Sequence, residues 1–435
     1  MRVDPDLLRS VHREVGDRLH REQQRRLASG QAELAGAGEQ QFARKLVSDV
    51  IREHAERVLA LGQSPLDPEV EQELADGVHA RMFGAGRLQS LLNDDSIEEI
   101  SINGFDSVWV SRADAPPDRP HERVDPVATS NEELIELVQG LAAYAGLNSR
   151  PWDEANAELD LTLPDGSRLS ALMSVSTVPA VSIRRHRWDK AVLADLVGND
   201  TMTDEAADFL RAIIHARCNV IIAGGTKAGK TTLLRAMAAE IGPEERIITI
   251  ENTLELGLHK FTDRHPNAVA MEARSANSEG QGEIKMDRLV RRTLRMAPDR
   301  VIVGEVLGPE VVQMLLAMGQ GNDGSLSTIH ARNSREVFER IATYGLMSEQ
   351  QLPHEASFRL IAGGLDYVVF ISRHPKTGKR RLDSVLEVNG YDDGVLASEI
   401  FAAGPHGSAT YTGTTPSRID YLTAAGWVQP GTGGW

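Results

Sequence analysis

Gly224-Gly225-Thr226-Lys227-Ala228-Gly229-Lys230-Thr231 is the stretch that decides how the rest of the chain is read. It fits the pattern G-x-x-x-x-G-K-[ST], which a chain of this composition produces by chance in roughly one case in a hundred. The β-branched run NVIIAG (219–224) leads into it, and TTLLRAMAAEIG (231–242) leads out as a helix ending at Gly242-Pro243. Strand, glycine loop and helix in that order make a phosphate-binding loop. Glycine lets successive N–H groups turn toward one anion, and the helix start near Lys230 adds its positive end. The Lys230 ammonium suits the outer phosphates, and the Thr231 hydroxyl suits Mg²⁺, which keeps most of its other ligands as water and phosphate oxygen. Gly224, Gly225, Thr226, Lys227, Ala228, Gly229, Lys230, Thr231 and Thr232 are thus the expected nucleotide-binding residues.

Downstream, short apolar runs end in polar side chains suited to hydrolysis. RIITIEN (246–252) carries Glu251, RVIVGE (300–305) ends on Glu305, and GSLSTIHA (324–331) carries His330. Cleaving a γ-phosphate calls for a carboxylate that orients or deprotonates water, usually on a neighbouring strand end. Gly304 stands where many ATPases place a magnesium-holding aspartate, which leaves Glu305 as the useful acid. No Asn-Lys dipeptide occurs, so the guanine-reading Asn-Lys-x-Asp motif is absent, as is the Leu-Ser-Gly-Gly-Gln signature of transporter ATPases. ATP with Mg²⁺ is the default ligand.

Outward from this core, helices alternate with β-branched runs from residue 219 to about 373, which predicts an α/β domain with a largely parallel sheet over 196–400. Residues 85–195 read as an α+β domain. EEISING (98–104) and DSVWVSR (106–112) pair around Asn103-Gly104, a helix covers 131–146, and ELDLTLPDGSRLSALMS (158–174) and PAVSIRRHR (179–187) supply further strands. The proline-rich ADAPPDRPHERVDP (113–126) cannot continue a central strand. Residues 1–84 read as a helical extension, with helices over 11–27 and 41–62 joined by the connector SGQAELAGAGEQ (29–40). The Gly, Thr and Pro-rich segment 401–435 reads as a loosely ordered tail.

The whole chain has 435 residues and a net charge of −16, with 8 lysines and 39 arginines. Two of those eight lysines lie in the phosphate loop. An acidic average argues against a nucleic-acid clamp. One cysteine, Cys218, excludes an internal disulfide and a cysteine-clustered zinc site, and reads as a core filler. No apolar run is long enough to cross a bilayer, and the N-terminus lacks a signal peptide, so a cytoplasmic location is expected. His259, Asp263 and His265 form a weak metal motif, and Arg291, Arg292 and Arg295 read as an ion-pairing helix face.

These motifs, in this order, resemble the ATPases of type II and type IV secretion, conjugation and type IV pili, nearest the CpaF-like branch of tight-adherence pilus assembly. GGTKAGKTT (224–232) matches their Walker A, ITIENTLEL (248–256) their aspartate box, LRMAPDRVIVGEVLG (294–308) their glutamate-bearing Walker B, and DGSLSTIHARN (323–333) their histidine box. The resemblance implies a RecA-like P-loop NTPase motor domain behind a mobile N-terminal domain, a hexameric ring, an inner-membrane platform protein as partner, and a peripheral place for the ATPase at the inner face of the membrane. It implies that Glu305 is the catalytic carboxylate and shares the metal with Thr231, that Glu251 assists at the metal or water, and that His330 senses the γ-phosphate. Arg184, with Arg168 and Arg185 behind it, falls where the family's phosphate-reaching arginines lie, and Arg295 is a further contact from a neighbouring subunit. Asn252, Leu307 and Asn322 depart from the family's Asp, Arg and His. Those departures leave two alternatives open, a nucleotide-binding structural subunit and a DNA-transfer ATPase.

Overall fold

A computed structural model describes residues 5–431 except 29–36, 63, 84–86, 114, 117, 145–151, 164, 186–189, 275–280, 375–376 and 405–406. The chain divides into two compact units, Met1–Arg187 and Trp188–Trp435.

The first unit holds three long helices and a six-stranded sheet. Helices Pro5–Ala28, Ala37–Ala60 and Pro68–Phe83 bury Leu8, Val11, Val15, Val47, Val50, Ile51, Leu74 and Val78 together, an apolar stripe at helical spacing on each. The third of these was not singled out by sequence periodicity. Most of the expected connector lies outside the described residues; its last four residues already belong to the second helix. The sheet comprises β1 (Ile97–Asn103), β2 (Val108–Arg112), β3 (Glu122–Val124), β4 (Glu158–Thr162), β5 (Arg168–Leu172) and β6 (Ala180–Arg184), ordered β3-β2-β1-β6-β5-β4 and antiparallel throughout. Gly104 takes φ +77°, so the Asn103-Gly104 turn uses the freedom only glycine has. The proline-rich stretch yields only the three-residue edge strand β3.

The second unit is a nine-stranded sheet of β7 (Val220–Gly224), β8 (Ile247–Glu251), β9 (Ala268–Glu272), β10 (Arg300–Val306), β11 (Leu326–His330), β12 (Tyr367–Arg373), β13 (Arg380–Tyr391), β14 (Val395–Ala403) and β15 (Ala409–Tyr411). Its order is β15-β14-β13-β12-β7-β11-β10-β8-β9. The six strands from β12 to β9 are parallel, and β13 to β15 continue antiparallel. Every residue of β7 is buried, with Val220 and Ile222 in one core and Ile221 and Ala223 in the other, as a parallel strand covered on both faces requires. The short helix Leu193–Gly198 packs Leu193 and Leu196 into this unit's core, so the unit begins before residue 196, where sequence places its start.

The C-terminal segment corrects one expectation. The described residues from 401 onward are not a loose tail: β15 pairs with β14, and Ala409, Leu422 and Trp427 are buried in the same core as Phe209. The Trp427 ring meets Phe209 edge-on at 5.1 Å, and Ser417 N–H donates to the buried Glu387 carboxylate at 2.8 Å. Arg418 pairs with Asp366 at 2.7 Å. The glycines and prolines turn the chain between these anchors.

Candidate active site

The parallel strands deliver their C-terminal ends along one edge, where open α/β sheets bind ligands. In sheet order those ends are β7 with the phosphate loop, β11 with His330, β10 with Glu305 and β8 with Glu251. The register sets His330 opposite Gly224, and the Ala331 N–H donates to the Gly224 carbonyl at 3.3 Å. Between β10 and β11 the pairing shifts after Val303, and the Thr328 hydroxyl donates to the Gly304 carbonyl at 2.8 Å.

The loop has the shape an anion cradle needs. Gly229, at φ +101°, is the N-cap of the helix Lys230–Ala238, and Lys227 takes φ +62°, a conformation that costs a side chain about 1 kcal/mol. A Cβ on Gly224 would stand 2.4 Å from the Ile371 carbonyl oxygen of β12, so that glycine is fixed by close backbone approach. Around Gly225 there is open space. Ala228 is buried, Thr226 is exposed, and Thr231 and Thr232 are half-buried at the helix start. Positive helix end, inward lysine and a bare glycine together fit a polyphosphate, and the Thr231 hydroxyl in the first turn fits its metal.

Lys230 is only 7% exposed, and its ammonium is shared among three groups. Nζ donates to the Gly225 carbonyl at 3.2 Å, lies 3.1 Å from His330 Nδ1, and lies 3.6 Å from Glu305 Oε1. His330 Nε2 in turn stands 3.0 Å from Glu305 Oε1. Three residues that are distant in sequence thus form one triangle against the loop.

Glu251 sits differently. It is 3% exposed; Oε2 accepts the N–H groups of Glu255 and Leu256, each at 2.8 Å, while Oε1 is buried with no hydrogen-bond partner. Burial lifts its carboxyl to about 7 against the pull of those two N–H groups. Among the described residues no hydrogen bond or ion pair joins it to Lys230, Glu305 or His330.

In the first unit, Arg184 is exposed at the end of β6, directly across from Arg168 on β5. Arg185 is committed to its own unit, donating to the carbonyls of Asp94 and Ile97 and pairing with Asp95 at 3.4 Å. Arg295 is exposed beside the helix Met286–Thr293, where Arg291 pairs with Asp287. His265 is buried and His259 half-buried, burial lowers the pKa of both, and no cluster of three metal-ligating side chains exists among the described residues. Cys218 is a buried core residue whose thiol burial pushes up to about 12.

Three residues went unread in the sequence. Arg380, at the start of β13, brings its Cδ to 3.1 Å from where a Gly229 Cβ would lie, and its Nε donates to the Lys227 carbonyl at 3.4 Å. Glu310 accepts the N–H groups of Leu307 and Gly308 at 2.6 and 2.9 Å, fixing the turn after Glu305. Arg235, inside the phosphate-loop helix, reads as an ordinary helical arginine yet is 4% exposed. Only Glu310, directly after Gly308-Pro309, had a local signal, as an acid at a helix start.

Comparison with known proteins places the chain in a family. The family described as type II/IV secretion system protein matches residues 84–372. A putative conjugal transfer protein of Mycobacterium tuberculosis is 34% identical over 335 residues, spanning 75% of this chain and 90% of its own. Conjugal transfer protein TrbB of Rhizobium radiobacter is 30% identical over 318 residues, spanning 72% and 90%. Among solved structures, the VirB11 ATPase of the Brucella suis type IV secretion system is 26% identical with TM-score 0.37, covering 69% of this chain and 95% of that one. The pilus retraction motor PilT is 14% identical with TM-score 0.48, covering 78% and 86%. No helix among the described residues is long and apolar enough to cross a membrane. The chain belongs to the type II/IV secretion system protein family, and with the phosphate loop it carries it is one of that family's ATPases.

Proposed function

We propose that this chain hydrolyses ATP to ADP and phosphate in a Mg²⁺-dependent reaction and works as the cytoplasmic motor of a secretion, pilus-assembly or DNA-transfer machine. The observation that carries the reading is the Lys230–His330–Glu305 triangle at the mouth of the phosphate loop. Loop amides and the Lys230 ammonium hold the β- and γ-phosphates. Mg²⁺, held through Thr231 with Glu305 beside it, would neutralise charge on the phosphate oxygens. Glu305 orients the attacking water and takes its proton; His330, hydrogen-bonded to Glu305, keeps that carboxylate turned toward the γ-phosphate. Lys230 is the positive group closest to the charge that develops as the bond breaks. Arg184 is proposed as the arginine that answers the phosphates during turnover, in a hexameric ring that drives an inner-membrane platform.

Steady-state phosphate release tests this. Glu305→Gln keeps size and polarity but removes the base, and turnover should fall about 10²-fold or more with ATP binding retained. Unchanged turnover contradicts the reading. Relatives named for conjugal transfer favour DNA transfer as the second reading of the machine served. Turnover stimulated by single-stranded DNA, with binding that falls steeply as salt rises, would choose it over pilus assembly.

A further inference from the structure

The segment 252–256, which follows β8, is gripped from two sides by side chains that are almost wholly buried. From the strand end, Glu251 Oε2 accepts the N–H groups of Glu255 and Leu256. From the helix Lys230–Ala238, Arg235 donates Nε to the Leu256 carbonyl at 3.2 Å and a terminal N–H to the Glu255 carbonyl. Two consecutive residues therefore have both donors and both acceptors satisfied by one acid and one base, each from a different element. The Leu256 side chain, 1% exposed, is buried in the core that also holds Leu233, Leu234 and Met237 of that helix.

Glu251 also fills the space beside β10. A Cβ on Gly304 would lie 2.8 Å from Glu251 Cγ and 3.3 Å from Oε2, so the residue before Glu305 is bare because Glu251 occupies that volume. The glycine that sequence reading explains as a lost metal ligand is explained here by packing. An Oε2 that already accepts two N–H groups, with an Oε1 shut away from any partner, is built to hold backbone.

We infer that Glu251 is a positioning residue which, with Arg235, clasps residues 254–256 and locks the phosphate-loop helix to the end of β8, the strand beside the one that carries Glu305. Lys230 sits on that helix, and on the neighbouring strand β10 Glu305 follows Gly304, against which Glu251 packs, so the clasp bears on the separation of Lys230 and Glu305. This rests on the hydrolytic reading of that pair.

The test compares Glu251→Gln, Glu251→Ala and Arg235→Ala in the full chain, with Glu305→Gln as the reference, by phosphate release and by hydrogen exchange at the Glu255 and Leu256 amides. Glutamine keeps an oxygen that can accept both N–H groups, so Glu251→Gln should stay within about threefold of wild-type kcat with both amides protected. Glu251→Ala and Arg235→Ala should each lower kcat about tenfold or more, change KM less, and deprotect the two amides; the double variant should be little worse than the poorer single one. A Glu251→Gln protein that loses as much turnover as Glu305→Gln while the amides stay protected would overturn the inference, because Glu251 would then act on the reacting atoms. Should the wild type show no turnover, the ATPase reading fails by itself. The amides then decide the clasp alone: deprotection in both alanine variants supports it, and unchanged protection overturns it.

Discussion

The loop at 224–231 and the loop at 252–256 lie at strand ends on the same edge of the sheet, with β11 and β10 between them, yet they are built on opposite plans. The first makes its site from its own backbone: glycines, a helix start and one lysine within eight residues. The second has its shape imposed by two side chains that reach it from a strand end and from a separate helix. A loop of the first kind announces itself in sequence because its requirements are local. One of the second kind is silent, because Glu251 reads as a site carboxylate and Arg235 as an ordinary helical arginine until the fold brings them to the same two peptides.

The sharpest way to break that comparison is to remove the charge the first loop depends on. Lys230→Ala should cost turnover about 10²–10³-fold, since the proposed site sets its ammonium against the charge of the bond being broken, and phosphate release measures it directly. The next largest effect is on stability. Gly224→Ala puts a methyl group 2.4 Å from a backbone oxygen that cannot swing aside, for a loss of about 1–3 kcal/mol. Gly225→Ala meets open space, and its thermal midpoint should stay at the wild-type value. Calorimetric scans of the pair show whether the loop's glycines are required by packing position by position.

Arg235→Ala leaves two carbonyls, one of them buried, without their donor, at a cost of about 1–3 kcal/mol by denaturant titration. A smaller effect appears with pH. The Glu251 carboxyl titrates near 7 in the folded chain and near 4.5 when unfolded, so between those values the folded state holds the extra proton. Stability contributed by this group therefore falls as pH rises from about 4.5 to about 7 and is level above that, by at most about 3 kcal/mol. Glu251→Gln cannot lose a proton. The stability of the variant relative to wild type should rise across the same window, as thermal unfolding at a series of pH values would show.

Sequence carried the sheet and the centre of the site well for one physical reason. The buried parallel strands are continuous β-branched runs, and Glu305 and His330 stand at the ends of such runs, where residue order alone puts them on the same edge as the phosphate loop. The C-terminal segment was misread for the converse reason. Its burial comes from scattered residues, Ala409, Tyr411, Leu422 and Trp427, without a period of two or 3.6, among glycines that suggest looseness. Their partner, Phe209, lies some two hundred residues earlier. Gly304 was legible as a glycine but not as to its cause, since its neighbour Glu251 lies on a different strand. Arg185 looked like a spare phosphate ligand because sequence does not show carbonyls, and it is the carbonyls of Asp94 and Ile97 that hold it.

Titration calorimetry with ATP and Mg²⁺ on the full chain and on Lys230→Ala tests the central claim most directly. Saturable binding to the wild type, weakened about tenfold or more in the variant, is the predicted result. Heats that are absent from both proteins, or identical in the two, would contradict the assignment of residues 224–231 as the nucleotide site.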